Sequence, residues 1–292
     1  MPRETETLKL LRTLLGLYRP GAGEVRRLAE VAKLNKLLLA YLRRVGGVLR
    51  GELLREEARY RWFVGNAAEV VDALSRAGVG YALHKFRRPL DHVSVDLDVL
   101  VRVDDVPRAV KALVRRGFGV AVSEPYTVTL VRRGFVVDLY TNPSFAWVVY
   151  MDGEGLLRCC VEEVEVGGVR ATALTRGAEV AVAAAHAVYR EHAVLLMDCL
   201  VAWSWLSGEV WGVAVEHRVE GALEALLGVC SLIGEGYAEA PYKLGPHAVL
   251  GALARKVARD PLPRGTLPNA LRYLARGDLG RRVLARLTRE SY

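Results

Sequence analysis

Residues 94–101 read Ser-Val-Asp-Leu-Asp-Val-Leu-Val, and this stretch decides how the rest of the chain is interpreted. Side chains alternate between the two faces of a β-strand, so an extended conformation places Asp96 and Asp98 on one face and the apolar residues on the other. Two carboxylates this close repel each other, and Asp is a poor strand former. The strand therefore needs an exposed edge or a compensating cation, and a divalent metal ion is the compensation with chemical consequences.

A third carboxylate lies in a second predicted strand. Residues 127–141 predict a β-hairpin that turns at Arg133-Gly134, and its second strand carries Asp138 within an apolar run. If that strand pairs beside the first one, Asp138 approaches the other two carboxylates. Three carboxylates at one point form a ligand set suited to one or two Mg²⁺ ions.

The pattern of elements around these residues resembles a known superfamily. From about Tyr81 to about Trp203 the chain resembles the nucleotidyltransferases that include DNA polymerase β, and more closely their minimal, NTP_transf_5-like branch. The resembling elements are a first strand, the Asp-Leu-Asp strand, a helix over 104–116, the hairpin with Asp138 and a later helix containing His186.

This resemblance implies a site and a reaction. It assigns Asp96, Asp98 and Asp138 as the catalytic carboxylates and as the ligands of two Mg²⁺ ions. It implies an NTP as substrate, from which a nucleoside monophosphate moves to a hydroxyl acceptor while pyrophosphate is released. No sequence feature selects the base or the acceptor.

The end of the first strand departs from the family pattern. Members usually carry a glycine-containing pair where backbone groups approach the triphosphate, whereas the corresponding residues here are His84-Lys85-Phe86. A glycine allows that close approach and Phe86 does not. Lys85 can still supply positive charge, and Arg87 and Arg88 follow in the next loop. The candidate nucleotide-binding residues are therefore His84, Lys85, Arg87 and Arg88.

The overall pattern predicts an α+β protein. We expect an N-terminal helical region at residues 1–78, a small mixed β-sheet core of the nucleotidyltransferase type at 79–175, and a C-terminal helical region with a basic tail at 176–292. The helix 178–191 carries His186 and Arg190 one turn apart. A single His in an apolar helix is usually a packed core residue, while the resemblance favours a place for His186 near the site.

Composition sets the class of protein and its expected environment. Of 292 residues, 52% are hydrophobic and 25% are charged, which is typical of a globular chain. No apolar run approaches the roughly 20 residues that span a bilayer, and the first residues lack a signal peptide pattern, so we predict a cytoplasmic protein without membrane contact. Arg outnumbers Lys 34 to 7, and Gln is absent, a bias compatible with a thermophile or a GC-rich genome.

The four cysteines have no metal-ligand spacing. Buried free thiols are the expectation, and a disulfide becomes more plausible if the source is a hyperthermophile.

Charge is unevenly distributed along the chain. Residues 241–292 carry eleven Lys and Arg against three Asp and Glu, whereas residues 152–240 carry five against fourteen. A basic tail fits a phosphate backbone and favours RNA, either tRNA or rRNA, as a partner. It also fits intramolecular docking onto the acidic segment.

Four functional interpretations follow. The first is the metal-dependent nucleotidyltransferase, with an RNA end as the favoured acceptor and a protein hydroxyl as another. The second is a catalytically degenerate nucleotidyltransferase fold that serves as an RNA-binding or ribosome-binding module, which Phe86 and the basic ends support and the retained carboxylates oppose. The third is an enzyme that modifies a small aminoglycoside-like substrate. The last is an α+β protein whose Asp96 and Asp98 merely lie on a sheet edge.

Overall fold

Residues 5–276 are described by the computed structural model, and they form an α+β structure around one seven-stranded sheet, as predicted. The strands are β1 (Tyr81–Leu83), β2 (Asp96–Val101), β3 (Gly119–Glu124), β4 (Thr127–Arg132), β5 (Phe135–Tyr140), β6 (Ser144–Phe145), β7 (Val148–Val149), β8 (Val161–Val166), β9 (Val169–Leu174), β10 (Ala193–Val194) and β11 (Tyr242–Lys243). The helices are α1 (Glu6–Leu15), α2 (Ala22–Leu34), α3 (Leu38–Val45), α4 (Arg50–Arg76), α5 (Val106–Val114), α6 (Gly153–Cys159), α7 (Arg176–His186), α8 (Leu196–Trp205), α9 (Gly208–Glu216), α10 (Glu220–Gly234), α11 (Pro246–Arg259) and α12 (Pro261–Leu274).

The sheet has the strand order β3-β4-β5-β2-β1-β9-β8 and is mixed. Strand β2 lies at its centre, parallel to β5 and antiparallel to β1. The predicted hairpin is confirmed, because β4 and β5 pair antiparallel on either side of Arg133-Gly134. Strand β3 extends this hairpin at the sheet edge, and the sequence analysis did not predict it.

The two faces of the sheet pack against different helices. The face that carries Leu97, Val99 and Val137 packs with α4 and α5 in one hydrophobic cluster. The opposite face contributes Leu100 and Tyr140 to a larger cluster with the N-terminal and C-terminal helices. Alternation along β2 and β5 puts the three aspartates on this second face. Helices α1 to α3 and the C-terminal helices therefore pack together on the face that carries the candidate site, whereas α4 of the predicted N-terminal region covers the other face.

The N-terminal region is helical apart from short connections, one of which interrupts a predicted helix. The apolar stripe predicts a continuous helix up to Gly46, but α2 ends at Leu34 and α3 begins at Leu38. Asn35 causes the break, because its buried side chain donates to Ala240 O at 2.8 Å and accepts from Leu196 N at 2.8 Å. Lys36 follows with a left-handed φ of 58°.

The cysteines form two disulfide bonds, so the prediction of free thiols is wrong. Cys159 bonds to its neighbour Cys160, and Cys199 on α8 bonds to Cys230 on α10. The second bond joins two helices of the larger hydrophobic cluster.

The C-terminal region ends in the helix pair α11 and α12 within the described residues. The predicted basic tail continues through Arg281, Arg282, Arg286 and Arg289, which lie outside those residues. Among residues 5–276, no helix has the length and apolar character needed to cross a membrane.

Candidate metal and nucleotide site

Three carboxylates meet at the centre of the sheet. In the parallel pairing of β2 with β5, Asp98 lies directly opposite Asp138, and Asp96 lies two residues earlier on the same face. One oxygen atom from each carboxylate lies within 4.8 Å of the other two. The structure therefore brings together all three residues that the sequence predicts.

Asp98 is the most deeply buried of the three, with 8% of its surface exposed. Its Oδ2 forms an ion pair with Lys85 Nζ at 2.6 Å. Its Oδ1 is buried without a hydrogen-bond partner in the described part of the chain. Burial alone raises the pKa of a carboxyl group, but the charges of Lys85 and its neighbours outweigh burial and lower the pKa of Asp98 to about 2. Asp98 is therefore charged and has an oxygen available for a further ligand.

The pKa values of Asp96 and Asp138 are shifted in the opposite direction from that of Asp98. Burial raises the pKa of each carboxyl group, and the negative charge of Asp98 raises it further. Asp138 also accepts a short hydrogen bond from the hydroxyl of Thr129. A divalent cation would relieve this repulsion, and an oxygen-only donor set suits a hard cation such as Mg²⁺. The residues present therefore fit the metal that the sequence resemblance implies.

Basic side chains surround the carboxylates on the side of Asp96 and Asp98. A cavity of about 180 Å³ opens there. Its wall combines basic and histidine side chains from separate parts of the fold with two further carboxylates, Glu191 and Asp198; the basic and histidine residues are Lys36, Lys85, Arg88, His92, His186 and Arg190. Such a cavity is suited to a polyanion held beside bound metal ions.

Lys36 reaches this cavity from the break between α2 and α3. Burial lowers the pKa of its ammonium group, and the nearby charges of Lys85 and Arg88 lower it further. A non-glycine residue at a φ of 58° is uncommon, and such positions concentrate at functional sites. Sequence reasoning missed Lys36, and the available signal was Asn35, a polar residue at a buried position of the helical stripe.

Arg190 and His186 lie at the back of the cavity. Arg190 is held by Tyr140, whose hydroxyl accepts from Nη1 at 3.2 Å, and by Glu191 at 3.3 Å. His186 Nε2 lies 3.4 Å from the same Glu191 carboxylate. Arg190 is partly buried, yet its pKa stays above the usual value because neighbouring tyrosines and Glu191 outweigh burial. His186 ends α7, Arg190 lies in the π-helical turn that continues it (Ala187–Glu191), and Arg190 adds positive charge to the cavity.

Of the four predicted nucleotide-binding residues, two line the cavity and two do not. Lys85 and Arg88 are part of its wall. His84 has 3% of its surface exposed, and its ring packs edge to face against Tyr140 with centroids 5.2 Å apart. Burial lowers the pKa of His84 to about 3. His84 therefore packs in the interior next to β1 and is too buried to contact a nucleotide.

Arg87 points away from the carboxylates. Its guanidinium group forms an ion pair with Glu162 on β8 and lies 5.9 Å from the ring centroid of Trp205. The sequence could not predict that the side chains of Arg87 and Arg88 point to different sides, because the two residues are adjacent in one loop.

The backbone after β1 is occupied by a carboxylate of the chain itself. Phe86 N and Arg87 N donate to Glu179 Oε1 at 3.1 and 3.3 Å, and Glu179 is fully buried in the first turn of α7. The Phe86 ring turns toward Phe63, with centroids 6.4 Å apart. Phosphate contacts at this point must therefore come from side chains, because these backbone donors are already used.

Comparison with known proteins adds no relative: no family model matches the chain, and no curated protein is similar to it.

Proposed function

We propose that this protein is a metal-dependent nucleotidyltransferase that moves a nucleoside monophosphate from an NTP to a hydroxyl acceptor. The observation that carries the proposal is the convergence of Asp96, Asp98 and Asp138 within 4.8 Å on two parallel strands. The basic cavity beside them supports it, because a triphosphate needs positive charge next to the carboxylates.

The side chains divide into two functional groups. Asp96, Asp98 and Asp138 would hold Mg²⁺, which when bound neutralises phosphate charge and lowers the pKa of an oxygen nucleophile. Lys36 and Arg190 line the phosphate side of the site.

The reaction is a displacement at the α-phosphorus. The acceptor oxygen bonds to that phosphorus, the bond to the bridging oxygen of pyrophosphate breaks, and the acceptor loses a proton. An oxygen of Asp138 that does not bind metal would accept this proton and pass it to solvent.

Lys85 has two roles in this proposal, one without substrate and one with substrate bound. Its ammonium group occupies Asp98 Oδ2 at 2.6 Å, where it serves as the counter-ion of the carboxylate. A lysine side chain is long and flexible, so a metal ion at Asp98 would displace the ammonium group toward the adjacent phosphates. The same side chain then balances charge before and after substrate binds.

The test is a transfer assay with each of the four NTPs, Mg²⁺ and a mixture of short RNA acceptors. We expect pyrophosphate release and a labelled acceptor, both abolished by Asp98→Asn. The matched control is Asp104→Asn, because Asp104 is an exposed aspartate outside the site. Absence of Mg²⁺ binding to the wild-type protein would refute the proposal.

A second candidate is an RNA-binding or ribosome-binding module that has lost turnover. Two internal contacts favour it, because each occupies groups that a metal ion or a phosphate would otherwise bind. Lys85 pairs with Asp98, and the backbone amides of Phe86 and Arg87 donate to Glu179. This candidate predicts RNA binding that is the same with Mg²⁺ and with EDTA, and no pyrophosphate release with any acceptor.

A further inference from the structure

A second cavity opens on the opposite side of the three carboxylates. It has a volume of about 190 Å³, and Asp138 and Thr129 line it together with Arg190. Arg190 also lines the basic cavity, so this side chain separates the two spaces. The remaining wall includes the aromatic side chains of Trp147 and Tyr273 and the carboxylate of Glu124. A reactant in this second cavity would meet the site from the side of Asp138.

Trp147 is held in the cavity wall by an unusual turn. Strands β6 and β7 are joined by only two residues, Ala146 and Trp147, with φ values of 48° and 62°. Positive φ at both positions of a two-residue hairpin is the geometry that normally selects Asn-Gly. Residues with larger side chains are strained there, and such strain persists where the surrounding structure fixes it, often at ligand sites. The turn therefore points to a need for the indole side chain at this place.

Several contacts fix the indole ring. Trp147 Nε1 donates to Glu124 Oε2 at 3.2 Å. The ring meets Tyr273 edge to face at 5.3 Å between centroids, and the guanidinium carbon of Arg276 lies 5.6 Å from its centroid. An aromatic ring beside an arginine is the arrangement that proteins use to stack bases of single-stranded nucleic acids.

The basic C-terminal helix is attached to this turn. Val149 N donates to Thr266 Oγ1 at 3.0 Å, and Asn269 Nδ2 donates to Tyr126 OH at 3.2 Å. Helix α12 therefore lies against β7, with Arg272 exposed on it and the following Arg276 held beside the Trp147 ring. Phosphate-binding charge and a stacking ring occur at the same end of the molecule.

We infer that the second cavity binds the terminal nucleoside of a single-stranded polynucleotide, with its base against Trp147 and its terminal hydroxyl toward Asp138. The inference rests on the proposed function, because it names the acceptor of that reaction. The phosphates of the strand then lead along α12. The two reactants approach the carboxylates from opposite sides, with the NTP in the basic cavity.

The test measures binding of a short, fluorescently labelled single-stranded RNA by anisotropy in EDTA, so that it is independent of turnover. Loss of one base stack costs about 1–3 kcal/mol, so Trp147→Ala should weaken binding about 5- to 150-fold. Trp147→Tyr keeps an aromatic ring and should stay near the wild type. The matched control is Trp211→Ala, because Trp211 is exposed on α9 and does not line the second cavity. Thermal unfolding of each variant identifies any that fail to fold.

Separate outcomes decide the inference and the proposed function. Equal affinity of wild type and Trp147→Ala, or no binding of either RNA or DNA strands, would overturn the inference and favour a small-molecule or protein acceptor. Binding of RNA with weaker binding of the matching DNA identifies the strand as RNA, and equal binding identifies any single strand. Pyrophosphate release without a Trp147 effect leaves the proposed function standing. A Trp147 effect on binding without release from any NTP removes the proposed function alone.

Discussion

Lys85 Nζ lies 2.6 Å from Asp98 Oδ2, and both side chains are largely buried. The pair explains how a strand with closely spaced aspartates folds before any metal ion binds. Repulsion between carboxylates is the only effect visible in the sequence, and it predicts that Asp98→Asn leaves the stability of the metal-free protein unchanged or slightly raised. The ion pair reverses that expectation, because removing either partner leaves a buried charge uncompensated.

The first prediction is that Lys85→Met destabilises the metal-free protein by about 3–5 kcal/mol, the usual cost of breaking a buried ion pair. Asp98→Asn in the same background should recover most of that loss. The measurement is urea unfolding in EDTA, with the exposed Lys111→Met as the matched control. Additive losses in the double variant would show that the two side chains are not coupled.

A second prediction concerns metal binding at Asp138. Saturating Mg²⁺ should raise the free energy of unfolding of the wild type, by about 2.7 kcal/mol when the ion is present at about 100 times its Kd. Asp138→Asn should remove most of this gain and leave the metal-free stability equal or higher, because the native site raises the pKa of this carboxyl group and so disfavours its charged form. Thermal unfolding with and without Mg²⁺ measures both effects. An undiminished Mg²⁺ response in Asp138→Asn would place the ion elsewhere.

Third, Lys36→Ala should weaken NTP binding while leaving the fold intact. Lys36 is one of the cationic side chains around the phosphate cavity, and loss of one charge-assisted contact costs about 1.5–3 kcal/mol. Calorimetric titration with a non-hydrolysable NTP and Mg²⁺ measures the change. Lys33→Ala is the control, since Lys33 is exposed on α2 one turn earlier. Equal NTP affinity in both variants would exclude Lys36 from the phosphate site.

The sequence predicted those residues of the site whose position follows from the alternation of side chains along a strand. Alternation along one strand placed Asp96 and Asp98 on a shared face, and the hairpin brought Asp138 to them on the condition that its strand pairs beside the first. Lys36 and Trp147 escaped prediction because each lies at a left-handed position in a connection whose path tertiary contacts set, whereas Lys85, also left-handed, directly follows a predicted strand. The direction of Arg87 was equally hidden, since it depends on Glu162 of a distant strand. The periodicity of a sequence does not predict contacts between residues that are far apart in the chain.

The fourth prediction is a dependence of stability on pH that comes from His217. This residue is buried, and burial lowers the pKa of its ring below the ordinary value near 6.5. The unfolded state then binds the proton more readily, so the contribution of His217 to stability is complete above that value and falls as the pH drops below it, by at most about 1.4 kcal/mol per pH unit for this one group. His217→Gln should reduce the loss measured by urea unfolding between pH 7 and pH 5. His247→Gln is the control because His247 is exposed, and a similar reduction there would assign the effect to another group.

The last prediction concerns the salt dependence of RNA binding and uses point variants of the basic helices. The sequence alone suggests truncation after Asp260, but α12 holds β7 and Tyr126, so its removal would disturb the fold as well as the charge. Arg272→Gln is the sharper change, because each phosphate contact to a single strand contributes about −0.7 to the slope of log K against log salt, and about −0.9 to a duplex. The slope should flatten by about that amount.

Lys256→Met is the control for this measurement, since the ammonium group of Lys256 is buried against Asp260 at 2.6 Å and donates to His217 O and Arg218 O. This variant should lower stability and leave the slope unchanged, because a buried lysine releases no counterion when RNA binds. Retention of the full slope in Arg272→Gln would remove Arg272 from the RNA contact and assign its charge to packing beside the acidic middle segment.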